Sequence, residues 1–61
     1  MNSRAVQLAI IYQRVFGLTD AEFAALVGTS RQTWNRVKHT QDISRSLEKR
    51  ILQFIEKWLE T

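Results

Sequence analysis

Between positions 31 and 39 the sequence places Arg31, Gln32, Asn35, Arg36, Lys38 and His39 with no acidic side chain among them. These are long hydrogen-bond donors, and the chemistry they suit is the edge of a base pair or a phosphate. A guanidinium matches the O6 and N7 acceptors of guanine, and a carboxamide matches the donor–acceptor pair of adenine, each with about 1–3 kcal/mol of discrimination. Other chemistries find less material. His39 is the sole histidine and there is no cysteine, so no metal set and no cofactor are expected. Ser30, His39 and Asp42 are residue types used in catalysis, but a chain of 61 residues has little room for a cleft that buries a substrate. Glu56 and Glu60 lie one helical turn apart and read as solvated. No enzyme is expected.

The donors need a helix to present them, and residues 20–38 read as two short helices joined by a tight turn. Thr19 can cap the first, with Glu22 three residues later returning the bond of a capping box. Phe23, Ala24 and Val27 give that helix an apolar face, and Gly28 ends it where a positive φ is wanted. Ser30 can cap the second helix, whose inward stripe is Trp34 and Val37. This is the pattern of a helix-turn-helix with a recognition helix over residues 31–39. Ser30 and Thr33 read as a cap and a backbone or phosphate contact. Trp34 reads as core, with insertion between bases as the alternative; Tyr12 and Trp58 read as core or interface residues before stacking platforms.

Charge follows the same division. Residues 1–29 balance Arg4 and Arg14 against Asp20 and Glu22. Residues 30–50 carry Arg31, Arg36, Lys38, Arg45, Lys49 and Arg50 against Asp42 and Glu48, a net +4, and residues 51–61 carry a net −1. A basic stretch that begins with the recognition helix is the electrostatic footprint of a nucleic-acid partner. The chain reads as one domain over 1–61. A chain this small buries only about 60% of the surface that its unfolded form exposes, and dimerisation is a common way to gain more. No apolar run reaches the ~18–20 residues that cross a bilayer, and the start lacks the features of a secretory signal. A cytoplasmic protein with no membrane partner is the expectation.

The flanks read as helices too. Ser3 can cap a first helix running to about Phe16 and closed by Gly17. It is apolar around much of its circumference, which calls either for internal packing or for a subunit contact. Asp42, Ser44 or Ser46 can start a last helix that continues to about Glu60, about 15 residues or roughly 22 Å. Leu47, Ile51, Phe54, Ile55, Trp58 and Leu59 form its apolar side. The expected fold is all-α with four helices, or five. Ile10 and Ile11 of the first helix, and Phe54 and Trp58 of the last, are the candidate dimer residues.

The stretch GLTDAEFAALVGTSRQTWNRVKHTQ resembles the DNA-binding domains of lambdoid phage repressors and Cro proteins, within the wider XRE-like helix-turn-helix family. Leu18, Thr19, Phe23, Ala24, Val27, Gly28, Thr29, Ser30, Gln32, Thr33 and Val37 carry the match, over about 25 of the 61 residues. The resemblance implies a lambda-repressor-like fold. It also implies that Arg31 and Gln32 reach base edges from the start of the recognition helix, and that Arg36 does so one turn later. Asn35 reaches a base or the sugar-phosphate chain. Ser30, Thr33, Lys38, His39, Arg45, Lys49 and Arg50 are the candidate phosphate contacts.

Three positions depart from the family pattern. Asp20 stands where the family has a phosphate-contacting Gln; its carboxylate suits the helix dipole but repels DNA. Gln13 and Lys38 stand where many members pair an Arg with a Glu. The loop after the recognition helix lacks the usual Asn-Gly. The expected function is a sequence-specific transcriptional regulator, a Cro-like or autoregulatory repressor from a phage or other mobile element. It would bind a two-fold double-stranded DNA operator as a homodimer in a bacterial host, at the nucleoid. The alternative is a protein-interaction module that keeps this fold without binding DNA.

Overall fold

The computed structural model describes residues 3–60, which form four α-helices with no strand among them. They are α1 (Arg4–Val15), α2 (Asp20–Leu26), α3 (Arg31–Thr40) and α4 (Arg45–Glu60). A helix leaves its first N–H groups without partners, and each of these four starts on a side-chain oxygen that takes one. Ser3 Oγ accepts from the Val6 N–H at 3.4 Å, and Ser30 Oγ accepts from the Thr33 N–H at 3.1 Å. The expected capping box is complete: Glu22 N–H donates to Thr19 Oγ1 at 3.1 Å and Thr19 N–H to Glu22 Oε1 at 2.9 Å. That second bond, from a backbone N–H to the carboxylate, holds the Glu22 carboxyl below its ordinary range. Among the three candidates for the start of α4, Ser44 is the cap, its Oγ accepting from the Leu47 N–H at 3.2 Å.

α1, α2 and α3 end on left-handed residues, in two ways. Gly17 and Gly28 sit at φ 63° and 73°, as their positions after α1 and α2 require. α3 runs one residue past the expected end and stops on Gln41, a non-glycine at φ 62°. Its carboxamide is bound at both ends: Nε2 donates to the Lys38 carbonyl at 3.2 Å, and Oε1 accepts from the Ser3 N–H at 3.0 Å. The residue that ends α3 therefore also ties it to the start of α1.

α1 packs mainly on α4 and α2 mainly on α3, with a lesser contact between α1 and α3. The buried residues are Ala5, Val6 and Ala9 of α1; Phe23, Ala24 and Val27; Trp34 and Val37; and Leu47, Ile51 and Ile55 of α4. All are apolar apart from the indole N–H. The excess apolar residues of α1 divide between the two explanations. Leu8, Ile10 and Tyr12 pack against the core, whereas Ile11, Val15 and Phe16 stay exposed. Tyr12 meets Phe54 and Trp58 edge-on, each at a ring-centroid distance of 5.0 Å. Phe54 and Trp58 are thus half-buried within this chain, as is Ile10, and Ile11 is the exposed member of the four candidate dimer residues.

Replacing either glycine by alanine forces an L-residue into the left-handed region, which costs about 1–2 kcal/mol. At Gly17 nothing lies within 4 Å of the new Cβ, whereas at Gly28 it meets Arg50 Nη1 at 3.3 Å. Gly28→Ala is expected to lower the melting temperature by more than Gly17→Ala, each by about 4–8 °C per kcal/mol for a domain of this size. Thermal melts followed by circular dichroism give the comparison.

Candidate nucleic-acid interface

Two buried residues set the orientation of α3. Trp34 is fully buried against Phe23, ring centroids 4.8 Å apart, and Val37 lies one turn further along. With that stripe inward, Arg31, Gln32 and Arg36 fall on the opposite side and are exposed, and Asn35 is half-buried at its margin. Together with Ser30 they line one shallow open depression on the surface. The four candidate base readers are therefore neighbours, and no carboxylate lines the space between them.

Behind this surface lies a network that the sequence did not display. Trp34 Nε1 donates to Gln13 Oε1 at 3.0 Å. The other end of the same carboxamide donates to the Leu18 carbonyl at 3.0 Å and to Asp20 Oδ1 at 2.8 Å. Asp20 also accepts from Lys38 Nζ at 2.5 Å and from Asn35 Nδ2 at 3.3 Å. The Lys38 bond, the Gln13 bond and the adjacent lysine charge hold the Asp20 carboxyl below its ordinary range, against a smaller opposing effect of burial. This changes the meaning of two departures. The Asp20 charge expected to repel a duplex is compensated within the fold. The ion pair missing between positions 13 and 38 is replaced by a Gln13–Asp20–Lys38 link.

The phosphate candidates are distributed unevenly. Ser30 and Thr33 satisfy each other, Ser30 Oγ donating to Thr33 Oγ1 at 2.8 Å. Lys38 is half-buried on Asp20, and His39 is exposed at the end of α3. Arg45, Lys49 and Arg50 are exposed on the first turns of α4. Arg50 Nη1 donates to the Gly28 carbonyl at 3.0 Å, which fixes its charge beside the turn that leads into α3. None of these last four lines the depression. Gln13 and Gln41 are the structural residues that sequence reasoning missed. The signal that could have found Gln13 is its place one turn before the α1 terminus, opposite a tryptophan that needs an acceptor.

Among the described residues no cluster of His, Cys, Asp and Glu could hold a metal ion, and no helix is long and apolar enough to cross a membrane. Comparison with protein-family models, with curated proteins and with solved structures finds no match.

Removing the acceptor leaves the buried indole N–H unsatisfied, at a cost of about 1–3 kcal/mol. Gln13→Ala is accordingly expected to lower the urea midpoint while Gln7→Ala, at an exposed site on the same helix, leaves it near wild type.

The Asp20 carboxyl has the opposite sign of dependence from a basic group. Its folded pKa lies below the unfolded 3.8, so its contribution is complete above that value and is lost as pH falls through the folded one. Urea titrations below pH 4 are expected to show a steeper stability slope in the wild type than in Asp20→Asn, which keeps the part due to Glu22.

Proposed function

We propose that this chain is a sequence-specific binder of double-stranded DNA, acting on transcription as a dimer on a two-fold operator. The observation that supports this best is the exposed depression lined by Ser30, Arg31, Gln32, Asn35 and Arg36, rich in donors and free of carboxylates. α3 would enter the major groove from its N-terminal end, where Arg31 and Gln32 meet base edges and Arg36 follows one turn later. Asn35 gives one Nδ2 hydrogen to Asp20 at 3.3 Å and keeps the other, with its Oδ1, for a base or the sugar-phosphate chain.

Grip would come from Arg45, Lys49 and His39, with Arg50 adding charge at the turn. Lys38 contributes by neutralising Asp20 rather than by reaching a phosphate. Two copies would set their recognition helices about 34 Å apart, one turn of the duplex. Together with the resemblance to phage repressors and Cro proteins, this favours a small autoregulatory repressor of a phage or mobile element, working at the nucleoid of a bacterial host and needing no cofactor. On this reading the chain binds DNA and carries out no catalytic step.

Selection from a random duplex library followed by binding titrations tests the reading. Gln32→Ala is expected to relax choice at one base pair, losing about 1–3 kcal/mol of discrimination. Lys49→Ala should weaken all duplexes alike and reduce the slope of log affinity against log salt by about one. A library that yields no enriched sequence, or both variants binding as wild type does, would overturn it; the first outcome favours the protein-interaction module.

A further inference from the structure

The outer edge of the α1–α4 pair carries apolar surface that the fold leaves open. Arg4, Leu8, Ile11 and Val15 follow at intervals of four, three and four residues, one stripe along α1. Leu52, Glu56 and Leu59 make the matching stripe along α4. Arg4, Leu8, Leu52, Ile55, Glu56 and Leu59 line a common groove. Of these Leu59 is 64% exposed, and beside the groove Ile11 is 51% and Val15 61% exposed. Apolar residues gathered in this way on a small domain mark an interaction surface.

We propose that the occupant of this edge is a second copy of the same chain, joined about a two-fold axis. The charges select it. The groove has one cation, Arg4, and one anion, Glu56, both exposed, and Lys38–Asp20 is the one ion pair among the described residues. A two-fold contact is self-complementary, so each Arg4 can face the partner's Glu56 and the pair occurs twice in one interface. The groove's charges cancel, so it offers a polyanion such as DNA no net attraction, and two α3 faces, both basic, repel each other. The edge thus supplies the dimer surface in place of Phe54 and Trp58, which Tyr12 covers. α3 packs on α2 and on another side of α1, so it stays open in both copies. The inference deepens the dimeric part of the proposed function and rests on that reading for its purpose, while its readout needs no DNA.

Sedimentation equilibrium of the full chain tests it. The wild type is expected to approach twice its 7.2 kDa as concentration rises. Arg4→Glu and Glu56→Arg, both at exposed positions, should each retain helical circular dichroism and weaken self-association about tenfold, since each places two like-charge contacts in the interface. An equimolar mixture of the two variants should recover the wild-type constant, because the heterodimer restores an opposite pair at both contacts. A wild type that stays monomeric, or a mixture no stronger than its components, overturns the proposal. A dimer that recovers in the mixture yet selects no duplex would leave this surface standing and remove the DNA reading. A monomer that selects a duplex would do the reverse.

Discussion

A buried indole N–H must have an acceptor, and in this domain that requirement falls on Gln13. Leaving it unmet costs as much as a sizeable part of the stability a 61-residue chain can have. The carboxamide meets it with its oxygen, which turns the amino group toward the Leu18 carbonyl and Asp20. Reversing the amide would set a donor against the indole N–H and an acceptor against a carbonyl and a carboxylate, so a single orientation satisfies every bond. One side chain thereby fixes the rotation of α1, the path of the α1–α2 loop and the seat of α3.

The electrostatics follow from that arrangement. Asp20 begins α2, where a negative charge suits the helix dipole, and it also faces Asn35 and Lys38 on α3. The lysines and arginines of residues 30–50 consequently fall into two groups. Lys38 and Arg50 are committed to an internal acceptor, a carboxylate in one case and the Gly28 carbonyl in the other. Arg31, Arg36, Arg45 and Lys49 are exposed and make no ion pair among the described residues. The first group holds α3 in place against α2 and the turn. The second leaves its charge on the surface.

Local chemistry made much of this legible in advance. Ser3, Thr19 with Glu22, Ser30, and the glycines at 17 and 28 act within a few residues of themselves, so their types and spacing suffice. Trp34 and Val37 likewise set which side of α3 is buried, and with it the exposed set Arg31, Gln32 and Arg36. What the sequence concealed is non-local. Gln13 meets Trp34 across 21 positions and Asp20 meets Lys38 across 18; neither pairing has a periodicity to reveal it. The end of α3 was blurred because Gln41 takes a left-handed conformation usually left to glycine, held there by the Ser3 N–H from 38 positions away. The start of α4 stayed open between three residues that can all cap, and the choice of Ser44 is made in the folded chain.

The apolar and basic surfaces that remain belong to different parts of the fold. α2 and α3 bury Phe23 and Trp34 between them, so the polar side of α3 is left outward. α1 and α4 meet through Tyr12, Phe54 and Trp58, so the rows beyond that seam, Ile11 and Val15 on one helix and Leu59 on the other, stay more than half exposed among the described residues. Four short helices around one core cannot bury a wide apolar surface on α1 on both of its sides. Because the uncovered edge lies on a helix pair that α3 does not share, substitutions there and substitutions among the base-facing donors have no common partner. Their energies should add, so that under the proposed function the association of two copies and the reading of a duplex would respond to separate sets of substitutions.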